Sequence, residues 1–345
     1  MLPLSVLDLA PVTTAGSGPV ALRNSLDLAR HVDNLGYVRF WVAEHHNLPS
    51  IASSAPDIMI GQIAAVTSHM RVGSGGVMLP NHAPISVAER FKTLEALFPG
   101  RIDLGLGRAP GTDQITSLAL RRRQDIRDDD DFLERFQELL LLEQHGFPDQ
   151  HPFSKVRAMP QDVPLPPIYL LGSSGYSADL SARIGVGFAF AHHFADYDPA
   201  DALLSYRHQF RPGALAKPYA ILAVAAVCAD TDEEAGRLAT TIDLNFVRRS
   251  HGDYLPLASP EEAAAYPYTS GDRERIRRNR QRLFVGSPET VRTKLMQLVD
   301  ATRADEVMIT TMVYDHAARK RSYALIAQAF GLAAPATRET ATSQA

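Results

Sequence analysis

Phe40-Trp41-Val42-Ala43-Glu44-His45-His46 is an apolar, aromatic and β-branched run that stops at a carboxylate and two imidazoles. Such a run after Gly36 reads as a buried strand, and its polar end reads as the place where chemistry sits. Alternate residues of a strand share a face, so Phe40, Val42 and Glu44 point one way while Trp41, Ala43 and His45 point the other. Whichever set faces inward, a polar group stands near the rim of the core, where an unpaired carboxylate is costly. The competing reading is a hydrogen-bonded structural pair at the start of a loop.

Outward from this strand the same alternation recurs. Strands are expected over 4–9, 40–43, 72–79, 102–107, 168–171, 188–191, 219–229 and 305–311, with helices between them. Eight strands alternating with helices imply an α/β fold with a parallel sheet, and eight is the number that closes into a (β/α)₈ TIM barrel. A doubly wound open sheet is the runner-up, but its Gly-x-Gly-x-x-Gly fingerprint follows none of the strands. In the fourth strand Ile102, Leu104 and Leu106 share one face, and Gly105 and Gly107 leave the other bare for a ligand or a neighbouring backbone. Residues 1–330 read as a single domain, with an insertion after strand 7 at 250–285 that suits a mobile lid, and 331–345 as a disordered tail.

Composition narrows the partners. The 35 basic and 39 acidic residues give a formal charge of −4, which offers no general attraction to nucleic acid or anionic lipid. A single cysteine, Cys228, excludes an intramolecular disulfide and argues for a reducing compartment. No apolar run approaches the roughly 20 residues that span a bilayer, so a soluble, cytoplasmic protein with a small-molecule substrate is expected. His-Glu-x-x-His and cysteine-containing metal spacings are absent, and adjacent histidines on a strand point to opposite faces, so no metal is expected.

In a barrel of this kind the ligand sits over the C-terminal ends of the strands. Glu44-His45-His46, Ser74-Gly75-Gly76, Arg108, Ser173-Ser174-Gly175 and His192-His193 all fall there. Ser173-Ser174-Gly175 opens a helix whose N–H groups and positive dipole end favour a phosphate, and Arg108 supplies a charged fork. Plain helix capping by Ser174 and Ser177 is the alternative. His192 and His193 either face substrate or cap the sixth strand.

Ala43 to His46, Val72 to Pro80, Gly100 to Arg108 and Gly172 to Ser177 resemble the motifs of the bacterial luciferase-like flavin monooxygenases, and the likeness runs from Leu4 to about Phe330. It extends to the single-chain luciferase-like oxidoreductases, including those that tailor aromatic polyketides in antibiotic biosynthesis. The resemblance implies a barrel that binds reduced FMN as a diffusible cosubstrate, supplied by a separate NAD(P)H-dependent flavin reductase in a two-component system. It further implies oxygenation of a small organic molecule by dioxygen through a flavin hydroperoxide, by epoxidation or hydroxylation, in a homodimer. By position, His45 matches the catalytic histidine and Glu44 the acidic residue near the flavin. Arg108, Ser174 and Ser177 match phosphate ligands, flanked by Ser173, Gly175 and Tyr176, and Ser173 stands where luciferase has a glutamate. Ser74-Gly75 falls where luciferases have a non-proline cis peptide beneath the ring. His45, with an ordinary pKa near 6.5, suits a general acid or base. A deazaflavin-dependent dehydrogenase on the same barrel, or a non-catalytic flavin-binding protein, are the other classes to be tested.

Overall fold

Helix-starting prolines and helix-ending glycines cut the chain into short apolar runs, and those runs become parallel strands. The computed structural model describes residues 2–121 and 131–334; the Arg/Asp-rich stretch 122–130 and the tail from 335 lie outside the described residues. The strands are β1 (Leu4–Asp8), β2 (Arg39–Val42), β3 (Arg71–Ser74), β4 (Val77–Met78), β5 (Ile102–Gly107), β6 (Ile168–Gly172), β7 (Gly187–Ala191), β8 (Ala220–Cys228), β9 (Leu283–Gly286) and β10 (Glu306–Thr310). They pair in the order β1, β2, β3, β5, β6, β7, β8, β10, and β10 pairs back to β1. With β4 continuing β3, this is the closed eight-stranded barrel that the sequence predicts.

The helices are α1 (Gly18–Asp33), α2 (Pro56–Val66), α3 (Pro84–Leu97), α4 (Gln114–Arg121), α5 (Phe132–Gln144), α6 (Gly175–Ile184), α7 (Pro199–Gln209), α8 (Asp232–Leu238), α9 (Thr240–Ser250), α10 (Pro260–Ala265), α11 (Ser270–Arg280), α12 (Pro288–Thr302) and α13 (His316–Phe330). Two helices follow β8, α8 and α9, meeting at Ala239. Among the described residues no helix is long and apolar enough to cross a membrane.

Two cores divide the apolar side chains by strand face. Phe40 and Val42 join Leu4, Val72, Ile102, Leu104 and Phe188 in the large core between barrel and helices. Trp41 and Ala43 join Leu7, Tyr169, Ile221 and Met308 in a smaller cluster inside the barrel. The lumen below Trp41 is charged. Arg39 Nη1 donates to Asp103 at 2.5 Å and its Nε to Glu306 at 2.9 Å, and Arg71 Nε donates to Asp103 at 2.7 Å. Trp41 Nε1 donates to Asp103 and Tyr219 OH to Glu306, so nearly every lone pair is met before the site begins.

Between β3 and β5 the ladder carries one extra residue. Gly73 to Val77 advances four positions while Asp103 to Leu106 advances three. Ser74 Oγ bridges the gap, accepting from Gly105 N at 3.0 Å and donating to Gly105 O at 2.8 Å. The bare face of Gly105 is therefore taken by backbone rather than kept for a ligand: a Cβ there would meet the Ser74 carbonyl oxygen at 2.0 Å. The non-proline cis bond is Gly75-Gly76, one residue beyond the expected Ser74-Gly75.

The insertion after β8 holds α10, α11 and β9 rather than one long loop. β9 pairs with the upper end of β8, and Leu257 N and O bond to Val12 and Thr14 across the rim. Capping boxes start α10 at Ser259 and α11 at Thr269.

Arg39 is the shared partner of two buried carboxylates, so Arg39→Met should lower stability by about 3–5 kcal/mol, the range for breaking a buried ion pair from one side. Urea unfolding reads this as a lower midpoint at unchanged slope. A loss below about 1 kcal/mol would mean that the neighbouring donors suffice without it.

Candidate active site at the barrel mouth

The inward face rises in layers from charge to apolar bulk to small residues. Ala43 stands beyond Trp41, Ala223 lies in register with Met308 and Ala189 with Ile221, and Gly75 packs against Leu7 and Trp41. Alternation carries Ala191, Ala225 and Thr310 onto the same face. Small residues thus line much of this face toward the C-terminal end of the barrel, beside the partly buried Leu9 and Leu171, and we call this stretch the floor of the mouth.

Polar atoms without partners border that floor. His45 Nδ1 and Thr310 Oγ1 are buried and have no hydrogen-bond partner, and Thr310 as a whole is 5% exposed. An orphaned buried polar atom is uncommon in a folded protein and is what a bound molecule would satisfy. Thr310 was not singled out by the sequence, although its position two residues beyond Met308 on an apolar strand is a signal that could have found it. Burial holds the His45 pKa down to about 4, with exposed Arg249 on α9 adding to the effect. His45 therefore works from the neutral imidazole at neutral pH, not from a ring poised near 6.5.

Glu44 lies on the other face of the same strand end, with Phe40 and Val42, and borders a cavity of about 190 Å³ between α2 and α3. Its carboxylate meets His46 Nε2 at 2.9 Å, His82 Nε2 at 3.0 Å and the Met78 N–H at 3.0 Å. Burial opposes the charge, but the two histidines and the amide outweigh it, and the pKa lies below the ordinary carboxylate value. Glu44 thus ties β2 to the turn after β4 and is turned away from the floor. His82 was not anticipated, because nothing local distinguishes it from a surface histidine.

The phosphate-like end forms where β5 and β6 stop. Arg108 is exposed, and its guanidinium lies 4.4 Å from the centroid of the Tyr176 ring, which places a positive charge at the first turn of α6. Ser174 occupies the N-cap position with extended backbone, yet its side chain makes no capping bond, so plain capping does not explain the serine. Ser173, Ser174 and Gly175 are half-buried around the uncapped amides. Ser177 differs from expectation: it is buried and its hydroxyl proton goes to the Leu171 carbonyl at 3.1 Å, which leaves its backbone N–H as its only donor for a phosphate. The Ser74 hydroxyl is likewise committed, to Gly105, so of that pair only the Gly75 backbone faces the floor.

On the far side, His192 packs on Phe284 of β9 at 6.2 Å, and its buried Nδ1 has no partner. His193 Nδ1 lies 3.3 Å from the Ala223 carbonyl. Burial, opposed by that bond, holds the His193 pKa at about 4. Among the described residues no group of three or more His, Cys, Asp or Glu side chains is arranged to hold a metal ion.

Comparison with known proteins bears on the family and the fold. The family model for luciferase-like monooxygenases matches residues 2–305. A luciferase-like monooxygenase of Escherichia coli (strain K12) is 42% identical, with 93% of this chain and 95% of that protein aligned. The crystal structure of apo-MsnO8 is 39% identical, with a TM-score of 0.88 over 97% of this chain and all 100% of that one. The fold alone is shared with 3,6-diketocamphane monooxygenase in complex with FMN, at 18% identity over 97% of this chain and 99% of that one, TM-score 0.70. It is also shared with an F420-dependent secondary alcohol dehydrogenase, at 12% identity over 95% and 98%, TM-score 0.67. This chain, an eight-stranded barrel closed around a charged plug and matched along most of its length, belongs to the luciferase-like monooxygenase family.

Proposed function

We propose that this chain is a flavin-dependent monooxygenase that takes reduced FMN from a separate NAD(P)H-dependent reductase and uses dioxygen to oxygenate a small organic acceptor, by epoxidation or hydroxylation. The observation that carries this reading is the uncapped N-terminus of α6 beside Arg108, on the same rim as the orphaned His45 and Thr310. Amides and guanidinium together suit a phosphate dianion, and the floor of alanine and glycine suits a flat ring. The groups present fit a mononucleotide flavin or deazaflavin, and FMN is the reading adopted because the motif resemblance implies it.

Arg108, the backbone amides of Gly175, Tyr176 and Ser177, and the hydroxyls of Ser173 and Ser174 would hold the phosphate. Ala43, Gly75, Ala191 and Ala223 would lie under the ring, and Thr310 Oγ1 is left to bond its polar edge. The reduced flavin, when bound, supplies the activation of dioxygen. The protein's part is to exclude water and to place a proton. His45, neutral and half-buried, can donate through one ring nitrogen or accept through the other, and acts in this reading as the proton-handling residue. Glu44 acts through His46 and His82 as a tether that fixes the strand end carrying His45. The segment 250–285 would serve as the cover, opening and closing around its fixed contacts at Leu257 and β9. A homodimer working in the cytoplasm completes the reading, and buried, reduced Cys228 suits that compartment.

Arg108→Ala should weaken FMN binding about tenfold or more, because a charged hydrogen bond contributes about 1.5–3 kcal/mol. A fluorescence titration measures this, run beside deazaflavin; unchanged affinity would move the phosphate elsewhere, and tighter deazaflavin binding would favour hydride transfer instead.

His45→Ala separates binding from chemistry. FMN affinity should stay close to that of the parent, while oxygenated product falls about 10²–10⁴-fold and hydrogen peroxide rises in its place. The ratio of peroxide to product, in a coupled assay with a reductase and a panel of aromatic acceptors, is the readout. Parental product with no extra peroxide would make His45 structural.

A further inference from the structure

His193 stands across the mouth from His45, because β2 and β7 are four strands apart in the closed ring. The Ala223 carbonyl beside its Nδ1 can only accept a hydrogen bond, so Nδ1 carries the ring proton. The neutral ring then has its lone pair on Nε2. Among the described residues nothing donates to Nε2, and unlike His45 Nδ1 it is not sealed from solvent. One neighbouring aromatic ring makes an apolar edge beside it: Phe194, 60% exposed, stands edge-on to the imidazole at 4.7 Å.

The turn is held from outside by the segment that follows β8. Arg282 Nη1 donates to the carbonyls of Phe194 at 3.1 Å and Ala195 at 3.0 Å, the two residues after His193. Its third contact, to Asp196, involves a fully solvated carboxylate and contributes little. The guanidinium therefore fixes backbone, and with it the direction of the His193 side chain.

We propose that His193 Nε2 accepts a hydrogen bond from a hydroxyl of the substrate, so that the oxygen acceptor is a hydroxylated aromatic molecule, and that Arg282 is the positioning residue for this contact. The proposal rests on the monooxygenase reading above, since it names the acceptor's class. It assigns to the 250–285 segment a task other than covering the site: holding the turn that recognises substrate.

The test is a long-range nitrogen spectrum of the full-length, FMN-loaded protein with ¹⁵N-labelled histidine, assigned with His193→Phe. Phenol is the probe and anisole, which lacks the donor, its control. The expected result is a Nδ1–H tautomer at His193 and a saturable upfield movement of its Nε2 resonance with phenol but not with anisole. In Arg282→Ala the phenol response should weaken about five- to tenfold, as a loss of preorganisation does, and Arg282→Lys should restore part of it. An Nε2–H tautomer, equal responses to the two probes, or none to either would overturn the role of His193. An unchanged response in Arg282→Ala would overturn that of Arg282. A protein that fails to bind flavin is recognised separately by titration, and the same nitrogen spectrum of the unloaded chain still decides the histidine contact.

Discussion

One guanidinium joins the two buried carboxylates of the barrel lumen. Arg39 spans the lumen between Asp103 on β5 and Glu306 on β10, linking strands on different sides of the ring. Its cation also lies 5.2 Å from the Tyr169 ring and 5.7 Å from that of Tyr219. Buried charge is expensive unless every group is partnered, and here Ser5, Trp41, Arg71 and Tyr219 complete the set. The plug closes the N-terminal end, and the apolar layer of Trp41, Leu7 and Met308 rests on it. Everything above inherits its position from that layer.

β2 divides the labour between its two faces at a single peptide bond. Glu44 turns toward the helices and is hydrogen-bonded by His46, His82 and the Met78 amide, so it behaves as a structural anchor with a lowered pKa. His45 turns into the mouth, keeps an unpartnered nitrogen and is held neutral by burial. The two residues are adjacent in sequence but belong to different environments, and a mechanism that used both as one acid–base pair would have to bend a strand to do so.

The rim is built by tethers from distant parts of the chain. Leu257 bonds to the β1–α1 loop, β9 extends the ladder of β8, and Arg282 clamps the turn after β7. Fixed points on three sides confine any movement of 250–285 to the stretches between them, among which Tyr254 and Leu255 are the exposed large apolar side chains.

Periodicity alone determined the eight-strand barrel, because the alternation of short apolar runs with helices is written locally and closure follows from their number. The two faces of Phe40 to His46 were equally legible, since a strand's period is two. Which face was the lumen was not, because that depends on Arg39, Asp103 and Glu306 meeting from residues far apart in sequence. Location of the candidate site at the strand ends was readable from Arg108 and the 173–177 serine run, but the state of each hydroxyl was not. Ser74 and Ser177 spend theirs on the backbone of β5 and β6, whereas Ser174 does not cap, and only packing distinguishes them. His82, Arg249 and Arg282 carry no local signal; each gains its meaning from a neighbour on another element, which is a property of the folded chain alone.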